Sequence, residues 1–292
     1  MKKILVIATL LIASTLWGQA SWEGPFDVSS GKCPDIAIDP TTGNIHVVSA
    51  HAFSGMHYTV LDYLCNKMSE TTFDNAEKNL GGLHFGPAIA IDNLGRPHIC
   101  YRKYRGNWHY DLFYITKDGD TWTSPLKIAD NVERGYYVRM AIDSRNRVHI
   151  VQSSLNEPLS NAFDEFQPYG NVTYYRIEAG EKTKTEMITA PQQICYRVDN
   201  TFDIAVDSED NLHVLVGNPD WQEPKISYYR SVNSGDDWLL VGEIHAEYQV
   251  QRPAYPVIFS DNNENHHFIY GTSKDKNRDS KQSVRYVRYW KK

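Results

Sequence analysis

The sequence predicts an all-β chain, a five-bladed β-propeller of four-stranded antiparallel blades. Three observations predict it. One hairpin unit recurs five times, a Tyr-rich strand follows each copy, and the last copy lacks a fourth strand that the other end of the chain can supply.

The unit is clearest in GPAIAIDNLGRPHICY, Gly86 to Tyr101. Ile89 and Ile91 alternate with small residues, Asp92-Asn93-Leu94-Gly95 supplies a tight turn, and His98-Ile99-Cys100-Tyr101 resumes a β pattern. CPDIAIDPTTGNIHVV from Cys33, YVRMAIDSRNRVHIVQ from Tyr137, TFDIAVDSEDNLHVLV from Thr201 and AYPVIFSDNNENHHFIY from Ala254 repeat it. The turn aspartates Asp39, Asp92, Asp143, Asp207 and Asp261 stand 53, 51, 64 and 54 residues apart, a blade-sized period. Third strands follow at His57, Asp111, Asn171, Lys225 and Ser283, and fourth strands from Thr121 and Asp237 after Gly-Asp turns and a Trp. The fifth copy stops after its third strand. Trp22-Glu23-Gly24-Pro25-Phe26-Asp27-Val28 matches Trp122-Thr123-Ser124-Pro125-Leu126-Lys127-Ile128, so the N-terminal strand is expected to pair with the last blade and close the ring.

Residues 1–20 read as a secretory signal: Lys2-Lys3, an apolar run from Ile4 to Trp17, then small residues toward Ala20. That run of 14 residues is short of the ~20 that span a bilayer, so no membrane insertion is expected after cleavage. No cysteine near the cleavage site offers a lipid anchor. A periplasmic or secreted protein is expected, with one propeller domain over residues 21–292. Cleavage takes the formal charge from −6 to −8, which argues against nucleic acid or anionic lipid as partner. Export permits disulfides among Cys33, Cys65, Cys100 and Cys195, and the spacing selects no pairing over free thiols. The longest step contains one long loop, Ser153 to Asn171, of a length that is usually either functional or mobile, and its place favours function.

Repetition separates scaffold from site. His46, His98, His149, His213 and His267 follow each turn aspartate by six or seven residues. A single metal or catalytic centre has no use for five residues spread round a ring, so these are expected to be turn and packing residues. No C-x-x-C metal or redox pair is present, and no cofactor is expected.

Ser231-Val232-Asn233-Ser234-Gly235-Asp236-Asp237-Trp238 resembles the Asp-box, S-x-D-x-G-x-T-W, of the sialidase-like and polysaccharide-lyase-like propellers with BNR repeats. Thr116-Lys117-Asp118-Gly119-Asp120-Thr121-Trp122 is a copy one residue shorter. Asn233 and Asp237 depart from the consensus Asp and Thr. The resemblance implies the fold and an outer structural turn. A sialidase of that group would carry an Arg-Ile-Pro motif and six blades; neither is found, so the chain is not a typical sialidase. The segment His84 to Tyr110 is similar in style to propellers that include ulvan lyases, which are larger.

Departures from the repeat at one channel mouth are the informative residues. Two positions before the Ala of the repeat stand Asp35, Ala88, Arg139, Asp203 and Pro256. Packing needs no charge there, and buried charges are costly unless paired or used. Asp35, Arg139 and Asp203 are therefore expected to form one network, as a site or as a salt bridge that plugs the channel. His84, Tyr101 and the charged trio are the catalytic candidates. His51, Arg102, Trp108, Tyr137, Arg252, Tyr255 and Tyr270 are the candidates for substrate contact. Aromatic faces with Arg, His and Asp suit sugar rings and their hydroxyls or carboxylates.

The expected ligand is an oligo- or polysaccharide, which can be acidic, handled by a monomer. Two chemistries fit: hydrolysis by Asp35 and Asp203, or β-elimination with Arg139 neutralising a uronate while His84 or Tyr101 moves the proton. The rival of another class is a non-catalytic glycan-binding or protein-interaction propeller. The candidate residues differ from blade to blade, which tilts toward a single site and so toward a glycoside hydrolase or polysaccharide lyase.

Overall fold

A computed structural model describes residues 25, 27–29, 31–51, 55–73, 86–106, 109–130, 138–155, 170–188, 202–218, 225–245, 251–261, 263–273 and 282–289. The expected leader, residues 1–20, lies outside them. No described helix is long and apolar enough to cross a membrane.

The described strands form five antiparallel sheets in chain order. The first holds β1 (Lys32–Ile38), β2 (Ile45–His51), β3 (Gly55–Leu61) and β4 (Lys67–Phe73). The second holds β5 (Ala88–Ile91), β6 (Pro97–Gly106) and β7 (His109–Asp118), with β8 (Thr121–Trp122) and β9 (Leu126–Ala129) both paired to β7. The third holds β10 (Val138–Ile142), β11 (Val148–Leu155), β12 (Gly170–Glu178) and β13 (Glu181–Met187). β14 (Phe202–Val206), β15 (Leu212–Asn218), β16 (Lys225–Ser231) and β17 (Leu239–His245) make the fourth. The fifth has three strands, β18 (Gln251–Ser260), β19 (His266–Ser273) and β20 (Gln282–Tyr289). The first strands are neighbours in order: β1 beside β5, β5 beside β10, β10 beside β14, β14 beside β18. Sheets arranged about their first strands are the propeller architecture.

Turn chemistry explains the repeated Asp and His. In the second sheet Gly95 N donates to Asp92 O at 3.0 Å, and Gly95 adopts φ +77°. Asn146, Asp210 and Glu264 take the same left-handed position at +60°, +63° and +60°, the tight turn with a bulge that suits right-twisted strands. Asp92 Oδ1 accepts Leu94 N and Arg96 N, both at 2.9 Å, while Oδ2 meets Arg96 Nε at 2.7 Å and His98 Nε2 at 3.2 Å. Burial alone would raise this carboxyl; the hydrogen bonds from Arg96 and His98 outweigh it and hold Asp92 below the ordinary range.

The other nitrogen of His98 meets the Tyr114 hydroxyl at 2.5 Å, so turn, second strand and third strand are tied in one line. The same Asp-His-Tyr line runs through Asp143, His149 and Tyr174 (3.0 and 2.7 Å) and through Asp207, His213 and Tyr228 (2.9 and 2.7 Å). Asp261, His267 and Tyr286 repeat it at 3.0 and 2.7 Å. The first hairpin is one residue longer, and there the line breaks. Asp39 turns to Thr41 and Thr42, and His46 keeps Tyr58 at 2.6 Å but leaves its Nε2 buried without a partner. The histidines and most of the third-strand tyrosines are scaffold, as their repetition implies.

Four apolar layers fill the spaces between consecutive sheets. Val48, Met56 and Tyr58 meet Ile89, Ile99 and Tyr101; Ala88, Cys100 and Leu112 meet Val138, Ile150 and Tyr175. Val151, Val172 and Tyr174 meet Phe202, Ile204 and Val214; Leu215, Ile226 and Tyr228 meet Ile258, Phe268 and Tyr270. Each Val, Leu, Ile, Met or Phe among them contributes roughly 1.5–3 kcal/mol by leaving water. The turn from Ser231 to Trp238 braces one of these layers. Gly235 N donates to Ser231 Oγ (2.8 Å), Asp237 N to Asn233 Oδ1 (2.9 Å), and Trp238 sets its ring edge-on to Tyr174 of the preceding sheet at 5.3 Å. Trp122 meets Tyr58 in the same way at 5.0 Å.

The ends differ from expectation. No contact of comparable extent joins β18 to β1 among the described residues. Pro25, Asp27 and Val28 carry no strand, and Trp22, Glu23, Gly24 and Phe26 lie outside the described residues. Ile36 and Ile38 are 61% and 65% exposed, whereas Ile89, Ile204 and Ile258, the counterparts of Ile36, are 5–6% exposed. On the fifth sheet Phe259, Ile269 and Tyr286 are exposed as well. Cys65 and Cys100 are free thiols, and Cys195 lies outside the described residues.

Candidate functional site

Asp35, Arg139 and Asp203 occupy the first strands of three sheets, four residues before the turn aspartates. Register gives Asp35 opposite Val48, Ala88 opposite Cys100, Arg139 opposite Val151 and Asp203 opposite Leu215. The fifth member of this row is Val257, opposite Ile269, and not Pro256. A count back from Asp261, rather than from an Ala that the fifth copy lacks, identifies it.

A first strand is an edge strand, and its outward amides need partners. The two acids supply them. Asp35 Oδ2 accepts the Ile89 amide of the next sheet at 2.9 Å, and Asp203 Oδ2 accepts the Ile258 amide of the next sheet at 2.9 Å. Arg139 Nε lies 3.6 Å from Asp203 Oδ1, linking the third sheet to the fourth. A bulge between Lys32 and Asp35, with Cys33 at φ +50°, precedes the first acid.

The expected network is present. Burial raises Asp203 to about 6 against the opposing pull of the Ile258 amide and Arg139, and the charge of Asp35 adds to the rise. Burial also raises Asp35, opposed by the Ile89 amide and by Arg139. Both carboxyls are driven upward beside one guanidinium at the inner edge of three sheets, and Asp203, at about 6, can hold and release a proton near neutral pH. An arginine in their midst makes the trio unsuited to a metal.

The other candidates divide. Tyr101 is a correction: it is 2% exposed between the first and second sheets, its ring centroid 5.9 Å from both Phe73 and Phe113. Strand alternation turns it away from the mouth and into the core. Tyr270 is likewise buried in the layer between the fourth and fifth sheets. Arg102 is buried at 4% exposure facing the third sheet, and burial lowers it to about 10. These three sit on the second strands, whose side chains point into the layers rather than toward the channel. His51, Arg252 and Tyr255 lie on β2 and β18 with side chains outside the described part. His84, Trp108 and Tyr137 lie outside the described residues, as does the loop over 156–169. The amides of Ile89 and Ile258 were beyond sequence reasoning, because every residue except proline carries one.

Among the described residues one grouping has metal-ligand chemistry, and it lies at the turn end: Asp207, His213 and His266.

No family model matches the chain, and no curated protein matches it. Solved structures do. Hydrazine synthase of Kuenenia stuttgartiensis aligns at TM-score 0.54 and 10% identity over 92% of this chain and 66% of that one. The polysaccharide lyase Uly1 aligns at TM-score 0.50 and 11% identity over 87% of this chain and 57% of that one. The likeness is one of fold. This chain thus spans about two thirds of the first of these proteins and little more than half of the second. The GH43 endo-arabinanase of Bacillus licheniformis is also similar, at TM-score 0.44 and 12% identity over 91% of this chain and 98% of that one.

Proposed function

We propose that this chain is an exported, carbohydrate-active propeller that cleaves an acidic oligo- or polysaccharide at the mouth of its channel. The observation that carries the reading is the pair of burial-raised carboxyls, Asp35 and Asp203, flanking Arg139. Asp203, raised to about 6, is the proton donor to the glycosidic oxygen, so that the anomeric C–O bond breaks as that oxygen is protonated. Asp35 is the second carboxylate, acting on the anomeric carbon or through a water. Arg139 neutralises the substrate's own carboxylate and opposes the burial-driven rise of the second acid.

β-Elimination is the second reading, favoured by the same guanidinium, which suits a uronate. With Tyr101 in the core, its proton-transfer residue would be His84.

The closed five-bladed ring belongs to this proposal. In a closed ring the exposed row of Ile36 and Ile38 and the exposed row of Phe259, Ile269 and Tyr286 would face each other as a fifth layer, which supports closure. Their meeting would remove both exposed apolar rows from water. The turn at Ser231–Trp238 supports kinship with Asp-box propellers.

The experiment is a depolymerisation screen on purified residues 21–292, following reducing ends and the ultraviolet absorbance of unsaturated uronates. Reducing ends without unsaturation, lost in Asp203→Asn, are expected. Both signals rising together would replace hydrolysis by elimination. Silence in both, with retention on a glycan array, would make the chain a binding module.

A further inference from the structure

In the fifth copy of the repeat a second histidine stands beside the scaffold histidine. The residue just before the scaffold histidine is Ile45, Pro97, Val148 and Leu212 in the first four copies, and His266 in the fifth. Val148 and Leu212 face the preceding sheet as core residues. His266 takes that inward position and is 5% exposed. Its ring lies against His213 of the fourth sheet, centroids 3.9 Å apart.

We propose that Asp207, His213 and His266 form a binding site for a divalent first-row transition ion, Zn2+ being the reference ion, between the fourth and fifth sheets. One ligand atom from each residue lies within 4.8 Å of the other two, and all three residues are buried. His213 Nε2 and Asp207 Oδ2 share a 2.9 Å hydrogen bond, and an ion held by both at about 2.0–2.2 Å would take the place of its proton. The second coordination layer is present too. Tyr228 Oη meets His213 Nδ1 at 2.7 Å, Asn211 Nδ2 donates to Asp207 Oδ2 at 2.9 Å, and Ser260 Oγ meets His266 Nδ1 at 3.0 Å. Partners of this kind orient the rings and carboxylate of metal sites.

Two imidazoles and one carboxylate favour zinc-like ions over calcium or magnesium, which take oxygen ligands. Asp207 and Asp261 supply negative charge at His266, and Arg230 and His213 oppose it. Tyr289 stacks over His266 at 5.9 Å and covers the site. The other Asp-His pairs have no third donor beside them among the described residues, so the site is single although its scaffold is repeated. An ion here would pin the last three-stranded sheet to its neighbour.

The test uses untagged protein stripped with EDTA and then titrated with ZnCl2 by calorimetry and thermal unfolding. Wild type is expected to bind one ion per chain and to unfold at higher temperature when loaded. His266→Leu restores the residue that the fourth sheet has at this place; it should keep the native circular dichroism, lose at least tenfold in affinity and lose the thermal shift. Equal binding by wild type and a folded His266→Leu would overturn the proposal, as would no uptake by wild type. Should the variant fail to fold, Co2+ added to wild type decides. Intense d–d bands that Zn2+ displaces support the site, and their absence overturns it.

Discussion

At the scale of single residues, Asp203 serves the fold and, under the proposed function, the chemistry as well. It caps the Ile258 amide, pairs with Arg139, and is raised by burial to about 6 from 3.8. Between those two values the folded chain holds a proton that the unfolded chain has released. Its contribution to stability is therefore full below pH 3.8 and falls as pH rises through about 6. Asp203→Asn keeps an acceptor for Ile258 and removes the titration. Unfolding midpoints measured from pH 4 upward should then lose this decline in the variant relative to wild type, and the variant should show no glycan cleavage at any pH. Gly235 is a second such residue. It adopts φ +87°, and a Cβ there would stand only 2.3 Å from the Tyr174 ring, so neither the conformation nor the space suits a side chain. Gly235→Ala should cost about 2 kcal/mol or more in urea unfolding, because backbone strain and a clash with a buried ring add together.

At the scale of elements, the Asp-His-Tyr line is a fastener whose worth depends on burial. Tyr174 is fully buried and its hydroxyl reaches both His149 and Ser234 O, at 2.7 and 2.8 Å. Tyr174→Phe should cost roughly 1–3 kcal/mol, since polar partners are left buried. Tyr286 makes the same bond to His267 at 2.7 Å but is 57% exposed. Water can replace that bond, so Tyr286→Phe should cost much less unless the first sheet covers it. Comparing the two variants by chemical denaturation thus also tests the closed ring: equal costs favour closure, and a negligible cost at Tyr286 counts against it.

At the scale of the whole molecule, closure decides whether β20 is an edge strand. An N-terminal strand paired to it would protect its outer amides. Hydrogen exchange in β20 should accordingly be slow in residues 21–292 and fast after removal of residues 21–31; fast exchange in both would leave the ring open. The repeat unit, its turn, the role of the histidines and the Tyr-rich third strands were all legible in the sequence. Each is a local pattern, and local patterns are set by neighbours along the chain. The trio Asp35, Arg139 and Asp203 was legible for a related reason: a close repeat exposes its exceptions. Tyr101, Arg102 and Tyr270 were not legible, because membership of a second strand does not say which way its last residues point.

The amino-acid sequence by itself determined the number of hairpin units, their strand order and the positions where charge interrupts the pattern. Those properties depend on period and turn chemistry, which act over a few residues. Tertiary structure alone decided that Asp35 and Asp203 reach amides 54 and 55 residues away, and that Tyr101 packs inward. It alone brought His266 against His213. Such contacts depend on how one sheet is set against the next, and side-chain packing across that space fixes the setting.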